Sequence, residues 1–255
     1  MNRNSGIMKK IVYVNEPVYD APEKYRDYIK KANEFSCAYC TVTESESSGA
    51  TFNLDHFRPK KLFPQYYSTC NNLRYSCPRC NSYKRARWIE EKNGCIRNCE
   101  LCNNKVCEKN VERFVDNLKE DPADVFCIDD EGYLYSVNNS KPADYTIKYL
   151  RLNRSQLIKL RKIRRYIDLW REELVEQKTN VSTQKLNVLD NKKNFENLKS
   201  GAILEGRNGR LVEIVSKMFE MLELQLEQEE CIIDEQIRKI DTLLINEYES
   251  DCVLK

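Results

Sequence analysis

Two Cys-x-x-Cys pairs, Cys37-Ala38-Tyr39-Cys40 and Cys77-Pro78-Arg79-Cys80, constrain this chain more than any other feature of it. Thiols at that spacing cover one edge of a tetrahedron, so the two pairs supply four thiolates for one closed, structural zinc site. Such a site would pin together the ends of a segment whose middle needs no large core of its own. A disulfide framework is the competing use of cysteine, and it requires an oxidising compartment. Residues 1–13 offer neither a long apolar run nor a small-residue cleavage site, which predicts a cytoplasmic chain with reduced thiols. No stretch approaches the roughly 18 apolar residues of a membrane span, so no membrane association is expected.

Of the twelve cysteines, nine fall within residues 35–110. Cys95, Cys99, Cys102 and Cys107 follow the second pair closely. Their spacing fits a second zinc site, with free or partly used thiols the main competing reading and an iron–sulfur cluster a third. Cys70, Cys127, Cys231 and Cys252 are isolated and read as small buried hydrophobes.

Between and after the two pairs lie the groups that carry chemistry. Asp55-His56-Phe57-Arg58-Pro59-Lys60 contains the only histidine of the chain; Asn72-Leu73 follows, then Asn81 and Lys84. Phosphodiester hydrolysis needs a deprotonated water, a cation against the phosphate and stabilisation of the leaving oxygen. Histidine titrates near neutral pH and suits the first task. A carboxylate and an amide oxygen, Asp55 and Asn81, are hard donors that suit magnesium better than zinc. Alone, an Asp-His dipeptide says little; set between two zinc-type pairs it becomes specific.

Charge is segregated behind a net of +2. Residues 55–88 hold eight basic groups against one acid, and residues 148–171 hold nine against one. Residues 213–251 reverse this, with three basic and twelve acidic groups. Two basic segments fit contact with a polyanion, DNA or RNA, and the acidic tail a separate surface; solvated helix faces are the plainer reading. Arg58, Lys60, Lys61, Arg79, Lys84 and Arg85 are the candidate nucleic-acid contacts, interleaved with aromatics. For Lys84, a surface salt bridge competes with a phosphate contact.

Four zones follow from composition. Ile11–Val14 reads as a short strand and residues 24–35 as a polar helix. Phe126-Cys127-Ile128 and Tyr133-Leu134-Tyr135 flank an Asp/Gly cluster and read as a hairpin. Helices are expected beyond residue 143, with a polar interruption over residues 178–197. Val215, Met218, Leu222 and Leu226, then Ile233, Ile237, Ile240 and Leu244, repeat like heptad seams, as an intramolecular core or a homodimer interface. The expected organisation is α+β: a zinc-bearing domain over residues 1–110, a hairpin connector over 111–142, and a helical region over 143–255.

The pattern Cys-x-x-Cys, Asp-His-x-x-Pro, Asn-Leu, Cys-x-x-Cys-Asn-x-x-Lys resembles the HNH (ββα-metal) nuclease superfamily in its zinc-stabilised form. The resemblance implies that His56 activates water, that Asp55 and Asn81 bind Mg²⁺ or Mn²⁺, and that Asn72 braces the loop of the motif. It also implies products with 5′-phosphate and 3′-hydroxyl ends. A narrower likeness, over roughly residues 8–165, is to a bacterial subgroup that includes the HNH subunit of Septu-type and retron-associated antiphage systems. Asp121-Pro122, Asp124, Gly132, Ala143-Asp144-Tyr145-Thr146-Ile147 and Leu152-Asn153-Arg154 carry it. That subgroup implies an ATPase partner of the ABC/SMC-like type. The competing expectation, from another functional class, is a catalytically silent zinc-ribbon subunit that binds nucleic acid or organises an assembly.

Overall fold

The structure, a computed structural model, describes residues 6–88, 110–202 and 209–249. It is α+β, with small antiparallel sheets, long C-terminal helices and a four-cysteine cluster that could hold zinc. The described residues form two units, residues 166–245 and the remainder.

The first unit opens with a helix, α1 (Arg26–Ala32), entered through a turn of 3-10 helix at Pro22–Tyr25. The expected strand at Ile11–Val14 does not form. Ile11 donates one backbone hydrogen bond to Asn117 O at 2.8 Å, while Val12 and Val14 stay exposed. Without a partner strand, β-branched residues alone do not hold an extended segment in a sheet.

β1 (Asn53–His56) pairs antiparallel with β2 (Leu73–Ser76), with Asp55 opposite Arg74 and His56 opposite Leu73. α2 (Pro78–Lys84) follows β2 at once. Its start is written locally: Cys77 caps it by accepting a bond from Cys80 N, and Pro78 occupies the first turn, where a missing N–H costs nothing. Cys77, Cys80, Asn81 and Lys84 recur at three and four, so one face of α2 carries them all.

Residues 110–165 pack into this same unit. β3 (Phe126–Ile128) and β4 (Leu134–Ser136) form the hairpin read from the Asp/Gly cluster, and Gly132 takes the positive φ of +86° that its turn requires. α3 (Lys141–Tyr149) starts at Ser140, whose hydroxyl accepts from Ala143 N. The core joins Ile29, Phe52, Leu73, Val115, Leu150 and Leu157 to the four paired cysteines.

α4 (Ser155–Ala202) runs without a break through the residues where an interruption was expected, and α5 (Gly209–Glu249) follows. In the second unit they run antiparallel, with Leu174 and Val181 packed against Leu226, Ile233 and Ile240. Arg171–Asp241, Lys178–Asp234, Lys185–Glu230 and Lys192–Glu223 are ion pairs that step along the seam by sevens on the α4 side. The acidic stripe therefore finds its complement within the same chain. No helix among the described residues is long and apolar enough to cross a membrane.

Candidate metal centre and histidine site

The sulfurs of Cys37, Cys40, Cys77 and Cys80 all lie within 4.8 Å of one another, and all four residues are buried. Cys40 Sγ and Cys77 Sγ are 3.7 Å apart. A disulfide would need about 2.05 Å. Zinc with bonds of about 2.3 Å to tetrahedral sulfurs sets them roughly 3.8 Å apart. The cluster thus has the spacing of a Zn(Cys)₄ site and could hold a zinc ion. Two backbone N–H groups already point at sulfur, Cys77 N at Cys37 Sγ and Cys80 N at Cys77 Sγ. Hydrogen bonds from neighbouring thiols hold Cys77 and Cys40 below the ordinary thiol range. Burial pushes Cys37 up, and thiol hydrogen bonding raises Cys80. Arg154 adds a fixed positive charge, its Nη2 lying 3.6 Å from Cys40 Sγ and 3.8 Å from Cys80 Sγ. A tetrathiolate zinc carries net negative charge, which a guanidinium at the rim offsets. Cys95, Cys99, Cys102 and Cys107 lie outside the described residues.

His56 ends β1 and is half-buried. Its Nε2 lies 3.0 Å from Tyr67 O, and its ring stacks on the Tyr67 ring at 5.3 Å and 13°. A carbonyl only accepts, so in the neutral imidazole Nε2 carries the proton and Nδ1 the lone pair. Burial is the largest influence on the ring and lowers its pKa; Asp55 opposes the shift and Lys60 and Lys84 assist it. The neutral form is the one a base needs.

Asp55 alternates to the other face of β1, where it is buried. Tyr39 donates to its Oδ2 at 2.5 Å, and Lys84 Nζ lies 3.0 Å from Oδ2 and 3.4 Å from Oδ1. Lys84 also donates to His56 O at 2.8 Å. Its side chain is 0% exposed, which corrects the reading of Lys84 as a phosphate contact or a surface salt bridge. It is an internal counter-ion that ties α2 to β1. Asn81 sits one turn before Lys84 on the same face, half-buried, and its amide makes no hydrogen bond among the described residues.

Asn72 is buried and ties three points of the loop after His56. Its Oδ1 accepts from Arg58 N at 2.7 Å, and its Nδ2 donates to Arg58 O and Tyr66 O, each at 3.1 Å. Arg58 is also buried, stacked over the Tyr66 and Trp88 rings at 4.9 and 5.9 Å, so it too is corrected from surface contact to loop anchor. Lys60, Lys61, Arg79 and Arg85 are exposed. Arg79 donates to Gln156 Oε1 at 2.5 Å, and Lys60 lies 5.7 Å from the Tyr67 ring centroid. The roles of Tyr39, Tyr67 and Arg154 escaped sequence reasoning. Tyr39 stood inside the first Cys-x-x-Cys pair, Tyr67 counted only among the interleaved aromatics, and Arg154 only as part of the resemblance.

No protein-family description, curated protein or solved structure gives a significant match to this chain.

Proposed function

We propose that this chain is a metal-dependent endonuclease of the HNH type, with His56 as its general base. The observation that carries the reading is the fixed imidazole: Nε2 is committed to Tyr67 O, which leaves the Nδ1 lone pair to take a proton from water. A hard divalent ion suits the donors nearby. Asp55 Oδ1 has only a long contact to Lys84, and the Asn81 amide oxygen has no competing donor among the described residues. Mg²⁺ or Mn²⁺ held by Asp55 and Asn81 would neutralise the phosphate and stabilise the leaving oxygen. The zinc ion is structural in this reading; four thiolates leave it no open position. Asn72 ties the two ends of the loop at residues 58–66, just before Tyr67, and Lys84 holds the His56 carbonyl. The resemblance to Septu-type HNH subunits supports a role as effector nuclease in a bacterial antiphage complex with an ABC/SMC-like ATPase.

One observation favours the silent zinc-ribbon reading: Asp55 is buried and already neutralised by Lys84. Cleavage of supercoiled plasmid and of structured RNA, with Mg²⁺ or Mn²⁺ added to chelator-treated buffer, separates the two. Loss of a general base costs on the order of 10²–10⁴ in rate. His56→Ala should fall by that factor at unchanged zinc content. Metal-dependent cleavage that survives the substitution refutes the assignment.

A further inference from the structure

The C-terminal ends of α2 and α3 flank a cavity of about 290 Å³ that has no acidic residue in its lining. Arg85, Arg87, Lys148 and Arg151 converge on it, together with Tyr83 and Tyr149. The rings hold the cations in place: Arg87 Cζ lies 4.9 Å and Lys148 Nζ 5.3 Å from the Tyr149 centroid, and Arg151 Cζ 4.9 Å from that of Tyr83. None of the four pairs with a carboxylate among the described residues. In this they differ from Arg74, Arg113, Arg164 and Lys178, each of which has an acidic partner.

The backbone supplies a second observation. Arg85 and Arg151 follow the ends of their helices with φ of +52° and +49°, where glycine is the usual residue because it has no Cβ to clash. Two arginines at two such positions, facing one cavity, put charge where unstrained backbone would put none. Complementing helix dipoles explains basic residues near these ends; it explains neither the strain nor the absence of acids.

We infer that this cavity seats phosphates of a nucleic-acid strand, as a backbone anchor separate from the reacting centre. Ser82 and Tyr83 lie on the side of α2 opposite Asn81 and Lys84, so the cavity and His56 use different faces of one helix. Four cations, three of them preorganised on rings, suit phosphate oxygens of any sequence. The inference deepens the nuclease reading, on which its biological sense rests, by naming how the substrate backbone is held.

The test is fluorescence anisotropy of a 5′-labelled single-stranded 20-mer and its duplex, bound by the zinc-loaded full chain carrying His56→Ala, so that nothing is cut. Arg85→Gly/Arg151→Gly removes two cations while relieving the backbone, so its melting temperature should hold or rise. Binding should weaken about tenfold, and the slope of log K against log salt should fall by about 1.4 for the single strand and 1.8 for the duplex, at roughly 0.7 and 0.9 per phosphate lost. Arg87→Gln/Lys148→Gln should weaken binding without the gain in melting temperature. Unchanged affinity and slope in both variants overturn the inference, as does failure of the parent chain to bind either probe. The two readings fail separately. Unaltered binding in both variants sinks the anchor alone, and cleavage that survives His56→Ala sinks the nuclease alone.

Discussion

Replacing Lys84 by methionine keeps most of the volume and removes the charge from the most enclosed ion pair among the described residues of the first unit. At 3.0 Å and an effective dielectric near 20, the Lys84–Asp55 attraction is about 5.5 kcal/mol. Methionine also leaves His56 O without its donor and Asp55 buried as an uncompensated carboxylate. Breaking such a pair from one side costs about 3–5 kcal/mol, a large part of the stability of a domain this size. Trp88 packs on Phe57 and Phe63, so its fluorescence reports the first unit, and Trp170→Phe as background removes the signal of the second. Urea titrations of parent and Lys84→Met should differ by that amount. The proposed role of Asp55 adds a second readout. With the ammonium gone, Mg²⁺ should bind the carboxylate more tightly and recover about 2.7 kcal/mol at a concentration 100-fold above its Kd. A variant within about 1 kcal/mol of the parent would refute the buried-pair argument. Equal Mg²⁺ stabilisation of both proteins would refute competition between lysine and metal for Asp55.

Two other perturbations follow from the same geometry. Cys77→Ser should remove one zinc per chain, measured by atomic emission, and abolish the cooperative Trp88 transition, because structural zinc contributes on the order of 10 kcal/mol to folding; retention of both zinc and transition sinks the Zn(Cys)₄ assignment. Burial pushes the Tyr13 phenol up to about 12, while it donates to Leu73 O at 2.8 Å. A folded pKa above the unfolded value of about 10 means this contribution is intact below pH 10 and lost as pH rises through 12. The stability advantage of the parent over Tyr13→Phe should therefore shrink between pH 10 and 12 in denaturant titrations, and a constant difference would contradict it.

What the sequence made legible was local. The two Cys-x-x-Cys pairs, the Asp/Gly turn after β3 and the helix read over residues 24–35, formed at Arg26–Ala32, each depend on residues a few positions apart, and each stands where it was read. What it hid was set by partners far along the chain. Residues 178–197 looked like an interruption because apolar side chains thin out there, with Val181 and Val188 a heptad apart. A helix that needs only a narrow seam can spare the rest, and here the basic groups every seven residues meet acids of α5 about 30 to 70 positions later.

Charge was the deeper trap. Eight basic residues over 55–88 read as one surface field, yet Arg58, Arg74 and Lys84 face inward. Asp116 meets Arg74 from 42 positions away and Asp55 meets Lys84 from 29. A cation declares its side of the surface only through its counter-ion, and at separations of 29 and 42 positions neither pairing is written in local spacing. The same logic runs in reverse at the ends of α2 and α3. Arg85 and Arg87 come from one basic segment and Lys148 and Arg151 from the other, so what composition presented as two separate fields is, at this cavity, a single one. On the proposed anchor, the cations left unpaired among the described residues, after the interior has taken its share, are the ones offered to a polyanion.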